Sequence, residues 1–66
     1  MREINFAINL RSLRLSKDMT QIELANMLHV DKRTVSAWEN HVCEPSYTML
    51  TQICEIFSES FDSILT

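Results

Sequence analysis

The sequence has 66 residues, 45% of them hydrophobic and 23% charged, with a formal net charge of −3, two cysteines and no glycine. That length suits a single domain over residues 1 to 66, and since so small a domain buries only about 60% of the surface its unfolded chain exposes, a deep catalytic cleft is not expected. The apolar content is that of a folded globule, and the absence of any run near the ~18 apolar residues of a membrane span, or of a signal peptide in residues 1 to 20, points to a cytoplasmic protein.

From about Asn5 to Lys17, Phe6, Leu10 and Leu13 fall at i, i+4 and i+7, which places them on one face of a helix. Ile4, Ile8 and Leu15 lie off that stripe, implying either a generously buried first helix or contact with a second subunit. A break near Asp18 follows. Thr20-Gln21-Ile22-Glu23 has the capping-box pattern, so a second helix starts there, with Leu24, Ala25 and Leu28 facing inward. His29-Val30-Asp31 is the turn: Val30 plugs the core and Asp31 caps a third helix from about Lys32 to Glu39. In that helix Thr34, Val35 and Trp38 turn inward, while Lys32, Arg33, Ser36 and Ala37 turn outward. The short side chains of Ser36 and Ala37 let the helix lie close against a flat or grooved partner.

Val42 to Pro45 reads as a loop, because proline disfavours helix in the residue before it, and Ser46 is a good N-cap. Tyr47, Leu50, Ile53, Cys54 and Phe57 recur at helical spacing in a fourth helix. Ser60 caps a last short helix with Phe61, Ile64 and Leu65 facing the core. Cys43 and Cys54 are expected to stay reduced. With His41 they lack the ligand spacing of a metal site, so no metal or other cofactor is expected.

Charge is unevenly distributed. Residues 1 to 38 hold all six basic groups against four acids, a net of +2, and residues 39 to 66 hold five acids and no base, a net of −5. A total of −3 argues against a nucleic-acid binder, but a polarised molecule presents a basic face while being acidic overall.

LRSLR in the first helix, TQIELA opening the second, VDKRTVSAWEN through the third, PS before the fourth and SFDSIL at the end together resemble the Cro and phage-repressor-like, or XRE-type, helix-turn-helix family. The resemblance implies an all-α, five-helix, lambda-repressor-like domain whose helix-turn-helix, at about residues 20 to 40, is formed by helices two and three. In such a domain the third helix enters the major groove of DNA. Carried over by position, it implies base contacts from Lys32, Arg33, Ser36 and Ala37 and phosphate contacts from Gln21, Asn40, Thr20 and Thr34. It implies, too, a structural ion pair between Arg14 and Glu39. Arginine or lysine suits guanine O6 and N7, and the Ala37 methyl suits a thymine methyl; an ordinary solvated helix face is the alternative. The family usually carries glycine near the end of helix one, in the turn between helices two and three, and after helix three. Asp18, His29 and His41 stand there instead, and these residue types tolerate positive φ best. His29 and His41 are thus turn residues or, when protonated, phosphate contacts.

The implied function is a sequence-specific, double-stranded DNA-binding regulator, most simply a repressor, acting as a homodimer on a pseudo-palindromic operator. The dimer face is expected near Phe61 to Thr66 or on the spare apolar side of helix one. The competing reading is a protein-interaction module on the same fold, such as an antitoxin or a phage regulatory factor, motivated by the acidic half. No nucleophile, base and orienting group stand at recognisable spacing, so no enzymatic activity is expected, nor a small-molecule ligand or a membrane partner.

Overall fold

A computed structural model describes residues 5–66; Ile4, expected beside the first helical stripe, and the charged Arg2 and Glu3 lie outside them. Five helices follow in order: α1 (Phe6–Ser16), α2 (Gln21–Leu28), α3 (Lys32–Glu39), α4 (Tyr47–Phe57) and α5 (Phe61–Leu65). The described residues contain no strand.

Each start from α2 to α5 has a chemical cause. The Thr20 hydroxyl accepts from the Glu23 amide at 3.1 Å while the Glu23 carboxylate accepts from the Thr20 amide at 2.8 Å. Together they satisfy two of the four amides that a helix N-terminus leaves unpaired. Asp31 accepts from the Arg33 amide at 2.8 Å, and Ser46 from the Met49 amide at 3.2 Å. At α5 Ser60 and Ser63 form a second reciprocal box.

The first four helices end in one way. A residue of positive φ follows or nearly follows each: Asp18 (52°), His29 (59°), His41 (61°) and Ser58 (54°). The next amide then reaches back across the last turn, Met19 to the Arg14 carbonyl, Val30 to Ala25, Val42 to Ala37 and Glu59 to Cys54, all at 2.9–3.0 Å. This is the Schellman closure, which normally recruits glycine. Three of its four sites are the glycine-replaced positions of the family pattern; Ser58 was not anticipated.

One apolar core runs through all five helices. Leu10, Leu24, Val35, Ile53 and Ile64 are completely buried, with Phe6, Ala25, Leu28, Trp38, Cys54 and Phe57 around them. α2 packs on α3, α1 on α3 and α5, and α4 on α5 and α2. The chain ends meet: the Asn5 amide donates to the Leu65 carbonyl at 2.9 Å, and Asn9 Nδ2 donates to the Ile64 carbonyl at 3.0 Å. Asn9 thereby satisfies a carbonyl that the short α5 leaves unpaired.

Two expectations from periodicity are corrected. Ile8 and Leu15 are more than half exposed, because they lie seven residues apart on a side of α1 that neither α3 nor α5 covers. A generously buried α1 is thus ruled out. Tyr47 is 74% exposed although it continues the stripe of α4. It sits in the first turn, beyond the core, and its ring meets Phe61 edge to face at 5.3 Å. Cys43 and Cys54 are free thiols, one exposed and one buried.

Candidate nucleic-acid interface

The short α3 has one inward and one outward side. Val35, Trp38 and Glu39 are buried; Thr34, Ser36 and Ala37 are half-buried; Lys32 and Arg33 are exposed. Arg33 Nε lies 3.5 Å from Asp31 Oδ1, but both side chains are largely in solvent, so the contact holds Arg33 weakly and leaves it available to another anion.

What orients α3 is a buried polar cluster at its last turn. Arg14 Nε donates to Glu39 Oε2 at 2.7 Å and Nη2 to Oε1 at 3.0 Å, a bidentate pair whose side chains are 9% and 3% exposed. Arg14 Nη1 also donates to the Met19 carbonyl at 2.8 Å, which ties the α1–α2 connection into the cluster. Gln21 Nε2 donates to Glu39 Oε1 at 3.1 Å. Hydrogen bonding to Glu39 raises the Arg14 pKa above its ordinary value, against the opposing effect of burial. Helices α1, α2 and α3 therefore converge on one carboxylate, and no buried side-chain polar atom among the described residues lacks a partner.

Two groups of the anticipated contact residues stand near this cluster. Thr20, Gln21 and Lys32 line one open groove together with Asp18, Met19 and the ion-paired Arg14, with Leu15 and Ile22 on its apolar wall. The groove brings the N-terminus of α2 beside the start of α3. At that N-terminus Thr20 and Glu23 cap one another, and these bonds hold the Glu23 carboxyl below its ordinary pKa. The amides of Gln21 and Ile22 lie in the turn that an α-helix leaves without internal acceptors, where its partial positive charge favours an anion. Gln21 offers one amino proton to Glu39 and keeps a second.

The other group is at the far end of α3. Asn40 Nδ2 donates to the Ser36 carbonyl at 2.9 Å and to Ser36 Oγ at 3.1 Å. The amino group of Asn40 is thus turned onto Ser36 and engaged inside the chain. The two bonds that sequence reasoning missed, Gln21 to Glu39 and Asn40 to Ser36, differ in kind. The first spans 18 residues and carries no local signal, whereas the second is an i, i+4 pair of polar side chains, a spacing at which helical residues meet. His29 and His41 are exposed turn residues at positive φ.

The family model described as Helix-turn-helix matches residues 10–64. The chain is 33% identical over 63 residues to the HTH-type transcriptional activator BcrR of Enterococcus faecalis, covering 96% of this chain and 31% of that protein. It is 32% identical over 57 residues to the antitoxin PezA of Streptococcus pneumoniae serotype 4, covering 86% and 36%. The chain therefore spans about a third of the length of these curated relatives. Among solved structures, a transcriptional regulator from Listeria innocua superposes with a TM-score of 0.92 at 25% identity, over 97% of this chain and 60% of that one. The same arrangement forms 32% of the hydroxypropylphosphonic acid epoxidase of S. wedmorenis, with a TM-score of 0.84 and 31% identity over 92% of this chain.

Proposed function

This chain belongs to the helix-turn-helix family, and we propose that it is a sequence-specific, double-stranded DNA-binding regulator that inserts α3 into the major groove. The observation that carries this reading is the two-sidedness of α3. Its buried side is locked by Glu39 to α1 and α2, and its other side offers two exposed cations and two short side chains beside an open helix N-terminus. Lys32, Arg33, Ser36 and Ala37 then face base edges. Thr20, Thr34, Gln21 and the free amides of α2 face the phosphate backbone. The similarity to BcrR, a transcriptional activator, and to the Listeria regulator supports a regulatory role.

One such unit makes few base contacts, so two copies on a two-fold-symmetric operator are part of the proposal. The chemistry asks for no cofactor, metal or small-molecule ligand and includes no catalytic step. The epoxidase likeness is consistent with that, since the shared arrangement is a third of the enzyme's length. A cytoplasmic location fits DNA binding, and no described helix is long and apolar enough to cross a membrane.

Selection from a random duplex pool at roughly 150 mM salt, where non-specific binding is weak, tests the reading. An enriched palindrome with half-sites about one helical turn apart is expected, and the double substitution Lys32→Ala, Arg33→Ala is expected to abolish enrichment. Failure of the wild-type chain to enrich any sequence would overturn the proposal.

A second reading is favoured by the similarity to the antitoxin PezA and by Glu44, Glu55, Glu59 and Asp62, the acids among residues 39 to 66 other than the buried Glu39. In it, the same domain docks a basic protein partner. Partner binding that survives the Lys32→Ala, Arg33→Ala substitution would support it.

A further inference from the structure

Asn40 and Ser36 form a hydrogen-bonded pair on the outer face of α3 whose polarity has a consequence for base reading. The Ser36 carbonyl accepts from the Asn40 backbone amide at 3.0 Å and from Asn40 Nδ2 at 2.9 Å. A carbonyl oxygen can only accept, so the side-chain group of Asn40 turned toward it is the amino group and not the oxygen. The same nitrogen is 3.1 Å from Ser36 Oγ, which makes that hydroxyl the acceptor of this bond. Its proton is left over. Elsewhere in the fold hydroxyl protons go to backbone carbonyls, Ser16 to Leu13 at 2.7 Å and Thr51 to Tyr47 at 3.0 Å. Among the described residues no such acceptor stands beside Ser36 Oγ, and both lone pairs of its own carbonyl are occupied.

We propose, on the reading that α3 enters the major groove, that Asn40 is a positioning residue that makes Ser36 a hydrogen-bond donor to a base acceptor, rather than itself a phosphate contact. Accepting from Asn40 polarises the Ser36 hydroxyl, so donation becomes its stronger mode and its remaining lone pair the weaker one. A free serine reads donors and acceptors alike. Held by Asn40, Ser36 selects guanine O6 or N7, adenine N7 or thymine O4, and disfavours cytosine, whose exposed group is a donor. The outward atom of Asn40 is then Oδ1, an acceptor, which has no attraction for a phosphate oxygen.

The test is a binding cycle on the selected operator with wild-type chain, Ser36→Ala, Asn40→Ala and the double variant, each against duplexes carrying all four bases at every half-site position. Thermal unfolding followed by circular dichroism confirms that each variant is folded. Ser36→Ala is expected to lower the preference for the acceptor-bearing base over cytosine about fivefold at one position, the effect of one neutral hydrogen bond. Asn40→Ala is expected to relax the same position, with little further loss in the double variant. Where the selected base is a purine read at N7, its 7-deaza analogue weakens wild-type binding and leaves Ser36→Ala unaffected. An Asn40→Ala loss that is uniform across all sequences and additive with Ser36→Ala would overturn the inference and return Asn40 to the phosphate backbone. A wild-type chain that selects no sequence overturns the DNA-binding reading instead. In that case the Asn40 bond to Ser36 Oγ is still read from the Asn40 amino protons by nuclear magnetic resonance: Ser36→Ala, which keeps the carbonyl bond, is expected to move one of them upfield, and unmoved shifts would overturn the pair.

Discussion

Glu39 sits where three helices meet, and its carboxylate accepts from Arg14 twice and from Gln21 once. Removing it leaves a guanidinium in a site that is largely closed to water, so Glu39→Ala is expected to lower the unfolding free energy by about 3–5 kcal/mol, read by urea denaturation. Replacing both partners, as in Arg14→Met with Glu39→Leu, removes the buried charge along with its partner and is expected to recover most of that loss. If the double variant is no more stable than Glu39→Ala, the damage comes from packing. Ser58 makes the opposite case. With φ at 54° a side chain crowds the backbone, and Ser58→Gly is expected to stabilise the fold by about 1 kcal/mol, seen as a higher thermal midpoint. Asp18, His29 and His41 occupy family glycine positions and so announce their left-handed backbone, whereas Ser58, in the run Ser58-Glu59-Ser60, looks like part of the next helix's cap. Its conformation was therefore not legible.

At the scale of the helix, starts were readable and exposed faces were not. Thr20, Asp31, Ser46 and Ser60 each bond an amide two or three residues ahead, so the N-caps of α2 to α5 are written within four residues of sequence, whereas Asn5 before α1 makes no such bond. The Thr20–Glu23 box adds a pH dependence. The bonds from Thr20 depress the Glu23 pKa in the folded chain, so the stabilisation is fully present above the unfolded-state pKa and is lost as pH falls through the lower folded-state value. Glu23→Gln is expected to flatten that acid limb, measured as unfolding midpoints on descending through and below the ordinary carboxylate range; an unchanged limb would show that Glu23 contributes nothing to it. Ile8, Leu15 and Tyr47 show the limit of periodicity. An apolar residue at helical spacing is buried only if a neighbouring helix arrives on that side, and α1 packs chiefly against α3 and α5, which leaves Ile8 and Leu15 exposed.

Across the whole molecule the acidic total conceals a local cationic site, and on the proposed function that site governs affinity for DNA. Binding is therefore expected to weaken steeply with salt, by roughly a hundredfold or more between ~50 and ~200 mM, and sedimentation is expected to find two chains on one palindromic duplex. Ile8 on α1 and the Tyr47 and Phe61 edge of α4 and α5 are two of the apolar surfaces open to such pairing. One chain per duplex with full affinity would remove the dimer from the proposal. The N-terminal caps of α2 to α5 and most of the core stripe follow from interactions between residues at most four apart, and those were legible in the chain as written. The five-helix class was legible too, through a pattern of spaced residues that the Helix-turn-helix match over residues 10–64 supports. The convergence of Arg14, Gln21 and Glu39, the closure of Asn5 and Asn9 onto α5, and the exposure of Ile8, Leu15 and Tyr47 depend on how helices are disposed in space. Residues 18 to 60 positions apart come within hydrogen-bonding distance only once the core has set the helix angles, and no local propensity encodes that.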